Sequence, residues 1–139
     1  MKMELLLRSG ARCFMFAGTS LTLIWIPVAL AGHVDDGVRM MKKGRTTEAA
    51  AAFVNGCVDG DKKSCNALAV FGRRIGNKEY QMLGAMNACR LGDSNACSFA
   101  GGEMVLEGKI DDGVGFLKLG CLLGSKLGCE QLKLLMRGY

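Results

Sequence analysis

From Arg45 onward the apolar side chains return at helical spacing, and no stretch shows the strict alternation of a half-buried strand. In the first such stretch Ala50, Phe53, Val54 and Cys57 stand at i, i+3, i+4 and i+7, and Gly60 interrupts the stripe. A second stripe follows through Cys65, Leu68, Ala69 and Gly72. Thr46 or Thr47 is placed to cap the first helix and Asp61 the second, since a short polar side chain just before an apolar run can accept the free N–H groups of the first turn. The pattern restarts at Met82, Ala85, Met86 and Cys89, followed by Cys97, Ala100, Gly101 and Met104. It restarts again at Val114, Leu117 and Cys121, followed by Cys129, Leu132 and Met136. Three pairs of short helices, each pair joined by a glycine turn, predict an all-α chain with the methionines serving as core filler.

The restarts keep one register of 32 residues. Cys57 and Cys65, Cys89 and Cys97, and Cys121 and Cys129 share a C-x7-C spacing; Gly60, Gly92 and Gly124 follow each first cysteine, and Asp61, Asp93 and Ser125 follow each glycine. Gly44, Gly76 and Gly108 hold the same period. A repeat of this length is the size of one helix-turn-helix unit, and such units bury their apolar faces by stacking into a solenoid. The expected units are 44–75, 76–107 and 108–139. Ahead of them, residues 33–43 read as one short helix, with Asp35 and Asp36 at its start, Lys42 and Lys43 at its end, and Val38 and Met41 on one face. In the repeat frame it takes the place of a second helix whose cysteine has become His33, so it is expected to cap the array.

Residues 1–31 read as an export signal. Lys2, Arg8 and Arg12 form a basic head, Cys13–Ala31 is a mainly apolar run of 19 residues, and Ala29-Leu30-Ala31 is a small-x-small cleavage site with Pro27 breaking the helix before it. Cys13 has no small-residue lipobox directly before it and lies upstream of the cut. The alternative is an uncleaved anchor, because such a run could barely span a bilayer; the chain would then be a membrane-tethered assembly factor. Cleavage leaves 108 residues, enough for one domain. It also leaves 15 basic against 12 acidic residues, a net charge of +3. The basic residues are scattered, with no aromatic-interleaved patch, which argues against a nucleic-acid partner.

Losing the leader removes the odd cysteine, and six remain. An exported chain of this size with an even, regularly spaced set is a disulfide framework. Of the connectivities available, only within-unit pairing treats all three pairs alike. A hairpin would bring Cys57, in the last turn of one helix, beside Cys65 in the first turn of the next, within the short reach a disulfide needs. Loop-closure entropy gives each nine-residue loop about 2.5 kcal/mol. Zinc is the competing ligand, but zinc pairs are usually two to four residues apart and His33, the sole histidine, lies outside the array. No metal and no cofactor is expected.

These features resemble the Sel-one-like repeat family, in particular its disulfide-rich branch, the Helicobacter cysteine-rich proteins. The match comprises a small residue before each first cysteine (Gly56, Ala88, Gly120), the glycine three residues after it, the second cysteine eight residues on, and the glycine that opens the next unit. It covers about Lys43 to Arg137, with units slightly shorter than the family's usual ones. The resemblance implies a tetratricopeptide-like superhelix in the periplasm or beyond, holding a protein or peptide partner on the concave face of its first helices. Candidate contact residues off the apolar stripes are Glu48, Asn55, Tyr80, Asn87 and Asp112. It also implies an alternative: penicillin or peptidoglycan-fragment binding with weak β-lactamase-like hydrolysis. Such hydrolysis needs a Ser-x-x-Lys pair and a Lys-Thr-Gly strand. Neither occurs here, and Ser64-Cys65-Asn66 only mimics a Ser-x-Asn element. No histidine in the array can activate a nucleophile, and Asp111 and Asp112 are better read as helix N-terminal charges. In the last helix Leu132 and Met136 are expected to pack inward, leaving Leu134 and Leu135 as an apolar patch through which a homodimer could form.

The leader assignment is checked by intact mass. Protein recovered from an exporting cell should begin at Gly32; a species retaining Met1 and fractionating with membranes would establish the anchor instead.

Overall fold

The computed structural model describes Gly32–Gly138, so the leader with its cleavage site, and Tyr139, lie outside the described residues. Seven helices follow in order: α1 (His33–Lys42), α2 (Thr46–Val58), α3 (Lys62–Ile75), α4 (Lys78–Arg90), α5 (Ser94–Leu106), α6 (Ile110–Leu122) and α7 (Lys126–Arg137). The described residues contain no strand. Each helix packs on its neighbours in the chain, and α1 also reaches α3, α2 reaches α4, and α5 reaches α7. This is an α-helical repeat solenoid: α2/α3, α4/α5 and α6/α7 are the three units, and α1 is the leading helix.

Every bend contains a glycine in the left-handed region, from Gly44 through Gly124, at φ between +70° and +96°. Other residues rarely adopt that conformation, which ends one helix and turns the chain back. In the bend within each unit a side-chain cap then starts the next helix. Asp61 accepts from the N–H groups of Lys63 and Ser64, Asp93 from those of Asn95 and Ala96, and Ser125 from that of Gly128. The start of α2 differs from expectation: the capping position is Arg45, without a side-chain hydrogen bond, and Thr46 is already helical. Glu48 in its first turn faces the helix dipole instead, and accepts from Arg45 Nε at 2.7 Å.

Three disulfides join Cys57 to Cys65, Cys89 to Cys97 and Cys121 to Cys129, with Cα–Cα distances of 4.5, 4.6 and 4.6 Å. Each crosses the bend within one unit, and together they belong to an oxidising, extracellular-type environment. The core around the first two is built from Phe53, Leu68, Phe71 and small residues such as Ala49 and Ala88; the Phe53 and Phe71 rings lie 5.7 Å apart. In α1 the buried face runs through Gly37, with Met40 and Met41 against the core and Val38 exposed. The reason is room: a Cβ on Gly37 would stand 2.3 Å from the Phe53 ring.

The closest backbone-to-backbone approaches lie between units rather than inside them. A Cβ on Gly84 would stand 2.5 Å from both the backbone N of Ala69 and the carbonyl of Cys65, and one on Gly101 2.8 Å from the carbonyl of Gly113. Gly56 and Gly120, expected from their place before the cysteines to allow close approach, do so: their Cβ atoms would meet Ser64 Oγ at 2.3 Å and Ser98 Oγ at 2.6 Å. Met136 departs from expectation. It is 72% exposed because the side of α7 it occupies, where Met104 of α5 meets the following unit, is not covered by a further helix among the described residues.

Two glycine substitutions separate packing from helix propensity. Gly84→Ala should destabilise the oxidised protein by about 1–3 kcal/mol, since the methyl group meets backbone that cannot step aside. Gly115→Ala, in α6 with nothing within 4 Å of its Cβ, should stabilise by about 1 kcal/mol. Thermal melts of the two variants read both signs.

Candidate interaction surfaces

The solenoid offers two faces, one on the first helices of the units and one on the second. On the first, Glu48, Tyr80 and Asp112 occupy one repeat position in the opening turns of α2, α4 and α6. Asn55 and Asn87 occupy another, seven residues further and so two turns along the same stripe, and its third member is Leu119. Glu48, Asn55, Asp112 and Leu119 are exposed. Asn87 is half-buried, its amide donating to the Leu83 carbonyl at 3.0 Å while its oxygen accepts from Arg90 at 3.4 Å. Tyr80 is also half-buried, its ring 6.3 Å from that of Phe71, so the core holds one side of it and leaves the rest to solvent. The five residues form a row along three helices rather than a cluster around one cavity.

On the second face two grooves lie in repeat-equivalent positions. One, of about 290 Å³, is walled by α3, α4 and α5, with Arg73, Asn95 and Asp93 among its lining and Phe99 closing it. The other, of about 320 Å³, is walled by α5, α6 and α7, where Val105 and Leu127 stand at the positions of Arg73 and Asn95 and are joined by Leu106, Leu134 and Leu135. Leu134 is 66% exposed and Leu135 half-buried, so both belong to this groove, which their place on the last helix alone did not reveal. Gln131 stands where the first groove has Phe99, and its Oε1 is buried with no hydrogen-bond partner among the described residues. Comparing the repeats position by position is the sequence signal that would have found the grooves.

The units are also tied by polar contacts that the apolar pattern did not indicate. Asn66 in α3 donates to Asp93 at 2.8 Å, and 32 residues later Ser98 in α5 donates to Ser125 at 2.8 Å. Each clasp joins the second helix of one unit to the cap of the next unit's second helix. At the leading end, His33 stands in the cysteine frame and its Nε2 lies 3.3 Å from Asp59 Oδ2. Ser64, the one serine of the Ser-x-Asn mimic, is fully buried with its hydroxyl on Asp61 Oδ2 at 2.6 Å, and Cys65 beside it is bridged. A hydroxyl so enclosed serves as a structural donor and cannot reach a substrate.

The two carboxylate caps are electrostatically distinct from ordinary surface acids. The Ser64 hydroxyl, with the N–H groups of Lys63 and Ser64, holds Asp61 below the usual carboxyl range. For Asp93 burial is the largest single influence and pushes upward, but the hydrogen bonds from the Ala96 N–H, the Asn66 amide and the Asn95 N–H, with the charge of Lys62, outweigh it and the net shift is downward.

No protein-family model, curated protein or solved structure matches this chain.

The lowered cap pKa values set a pH dependence. A folded-state pKa below the unfolded value gives stability that is present above the unfolded pKa, about 3.9, and that is lost as pH falls through the folded-state value. Melting temperatures measured at stepped pH should therefore fall below about pH 4. Asp61→Asn with Asp93→Asn, which keeps one capping oxygen but loses the second carboxylate oxygen that accepts from Ser64 and Asn66, should flatten that fall by lowering the neutral-pH value toward the wild type's acid value. An unchanged acid slope in the double variant would assign the loss to other carboxylates.

Proposed function

We propose that this chain is an exported, disulfide-stapled helical-repeat protein that holds a protein or peptide partner along the row formed by α2, α4 and α6, in the periplasm or outside the cell. The observation that carries the reading is the row itself. Glu48, Asn55 and Asp112 are exposed, and the fold draws on them only locally, through the Arg45 contact of Glu48 and the dipole position of Asp112. Tyr80 adds an aromatic anchored on one side and open on the other, a kind of residue enriched where proteins meet. A solenoid supplies such a surface because each repeat adds one helix to a continuous wall. The resemblance to Sel-one-like repeats points the same way. The hydrolytic alternative draws nothing from Ser64, which is enclosed and bonded to Asp61.

The reading is tested at the asparagines, which are peripheral to the core. Asn55→Arg with Asn87→Arg should abolish capture of the partner recovered by cross-linking from oxidised extract, with helical signal and thiol count unchanged. Asn95→Arg with Leu127→Arg, a repeat-equivalent exposed pair on the other face, should leave capture intact. Nitrocefin turnover by the oxidised wild type, lost on neither substitution, would instead favour the hydrolytic alternative.

A further inference from the structure

The bend within a unit occurs three times in this chain, so each copy is a control for the other two. All three have the disulfide, the left-handed glycine and a side-chain cap, and these suffice to make the turn. The remaining positions are free to differ, and in unit three they differ in one direction. Residues 54–65 carry Asp59, Asp61, Lys62 and Lys63, and residues 86–97 carry Arg90 and Asp93, so both spans are neutral. The equivalent span 118–129 has Lys118 and Lys126 and no acid, a net charge of +2. Ser125 caps α7 as Asp61 and Asp93 cap α3 and α5, and its buried hydroxyl meets Ser98, so the uncharged cap belongs to the packing of that seam. Around it, leucine stands at three positions where one earlier unit carries a charge: Leu122 at that of Arg90, Leu123 at that of Asp59 and Leu127 at that of Lys63, and these leucines are 84%, 44% and 52% exposed. Leu119, one turn before Leu122 and beside Lys118, is exposed as well. The ion pairs of the described residues all lie elsewhere.

We propose that the unit-three bend is a membrane-contact surface that seats on an anionic bilayer. Leu122, Leu123 and Leu127 project from a rigid, bridged turn and would enter the boundary between headgroups and acyl chains. Lys118, one turn back on α6, and Lys126, the first residue of α7, are placed to meet lipid phosphates while their stems lie along the apolar layer. A second copy of the chain is the poorer occupant, because a two-fold contact through this patch would set one +2 surface against another. No described helix is long and apolar enough to cross a membrane, so the contact is peripheral.

The test is sedimentation of the exported, oxidised chain with phosphatidylcholine vesicles, with and without phosphatidylglycerol. The wild type should co-sediment with the anionic vesicles and be released by salt. Lys118→Gln and Lys126→Gln should each lower the partition coefficient about fivefold, and Leu122→Ser with Leu123→Ser more than about tenfold. Arg90→Gln with Leu91→Ser, the same change in the unit-two bend, should leave it unaltered. Helical signal and disulfide content verify the fold of every variant. No binding to anionic vesicles, or equal binding by the leucine variant, as would follow if a retained leader were responsible, overturns the proposal. So does wild-type dimerisation without lipid that the leucine variant disperses, or binding of polyglutamate in place of vesicles, which would give the patch to a protein.

Discussion

Closing a helical hairpin over a single left-handed glycine and locking it with a disulfide is the constraint on which the rest of this structure depends. The bridge fixes the end of one helix about 4.5 Å, Cα to Cα, from the start of the next. At that separation the helices can splay only about the bend, so the unit enters the stack nearly pre-shaped. The chain can then use residues that would leave an unbridged hairpin weak: glycine in helix interiors, alanine in the core, and few aromatics. Bridge formation also excludes chain conformations from the unfolded state, and the short loops mean that each staple acts locally on its own unit.

Stacking follows from that local rigidity. Gly84 and Gly101 let one unit's backbone touch the next, and a backbone-to-backbone contact tolerates no slippage. The Asn66–Asp93 and Ser98–Ser125 hydrogen bonds lie on the same seam and tie each unit to the capping residue of its successor. The serine pair is buried and the Asn66–Asp93 pair partly so; such pairs contribute register more than stability, since either partner left alone would lose its hydrogen bond where water reaches it poorly. Asp93 illustrates the economy of the arrangement: one carboxylate oxygen starts α5 and the other holds α3.

Most of the fold was legible because repetition converts weak local signals into a strong one. A lone glycine or C-x7-C pair says little; three in one register specify hairpins, bends and bridge partners. The misses fall where the repeat is silent. The start of α2 lacks the short polar cap that marks the helices after the bends within the units, and Arg45 with Glu48 takes over there by charge. The face of α1 was misjudged because spacing alone favoured Val38, whereas the size of Phe53 demanded a glycine. Met136 was placed inward by analogy with the earlier helices, but the repeat position that Met104 buries needs a following helix to cover it. On the surface, Glu48, Asn55 and Asp112 lie off the apolar stripes and are exposed, whereas Tyr80's contact with Phe71 has no signal in the spacing, because it depends on where two different units meet.

An array of near-identical units separates what folding needs from what it permits. Positions that stay alike in all three units, the bridges, bend glycines and capping oxygens, are accounted for by geometry. Positions that drift without direction, such as Ala51, Leu83 and Gly115 on the exposed side of the first helices, show how much freedom the surface has. Unit three stands apart because its departures agree with one another. On one edge acids give way to leucine and serine, and in the neighbouring groove Arg73 and Asn95 become Val105 and Leu127. Burial does not explain the change, since the core cluster is centred on units one and two and, among the described residues, Leu117 is the one large side chain that unit three buries fully. Exposed apolar surface that serves no packing is a solubility liability in a monomer. Its concentration in a single unit of an otherwise balanced chain therefore points to contact with something outside the molecule.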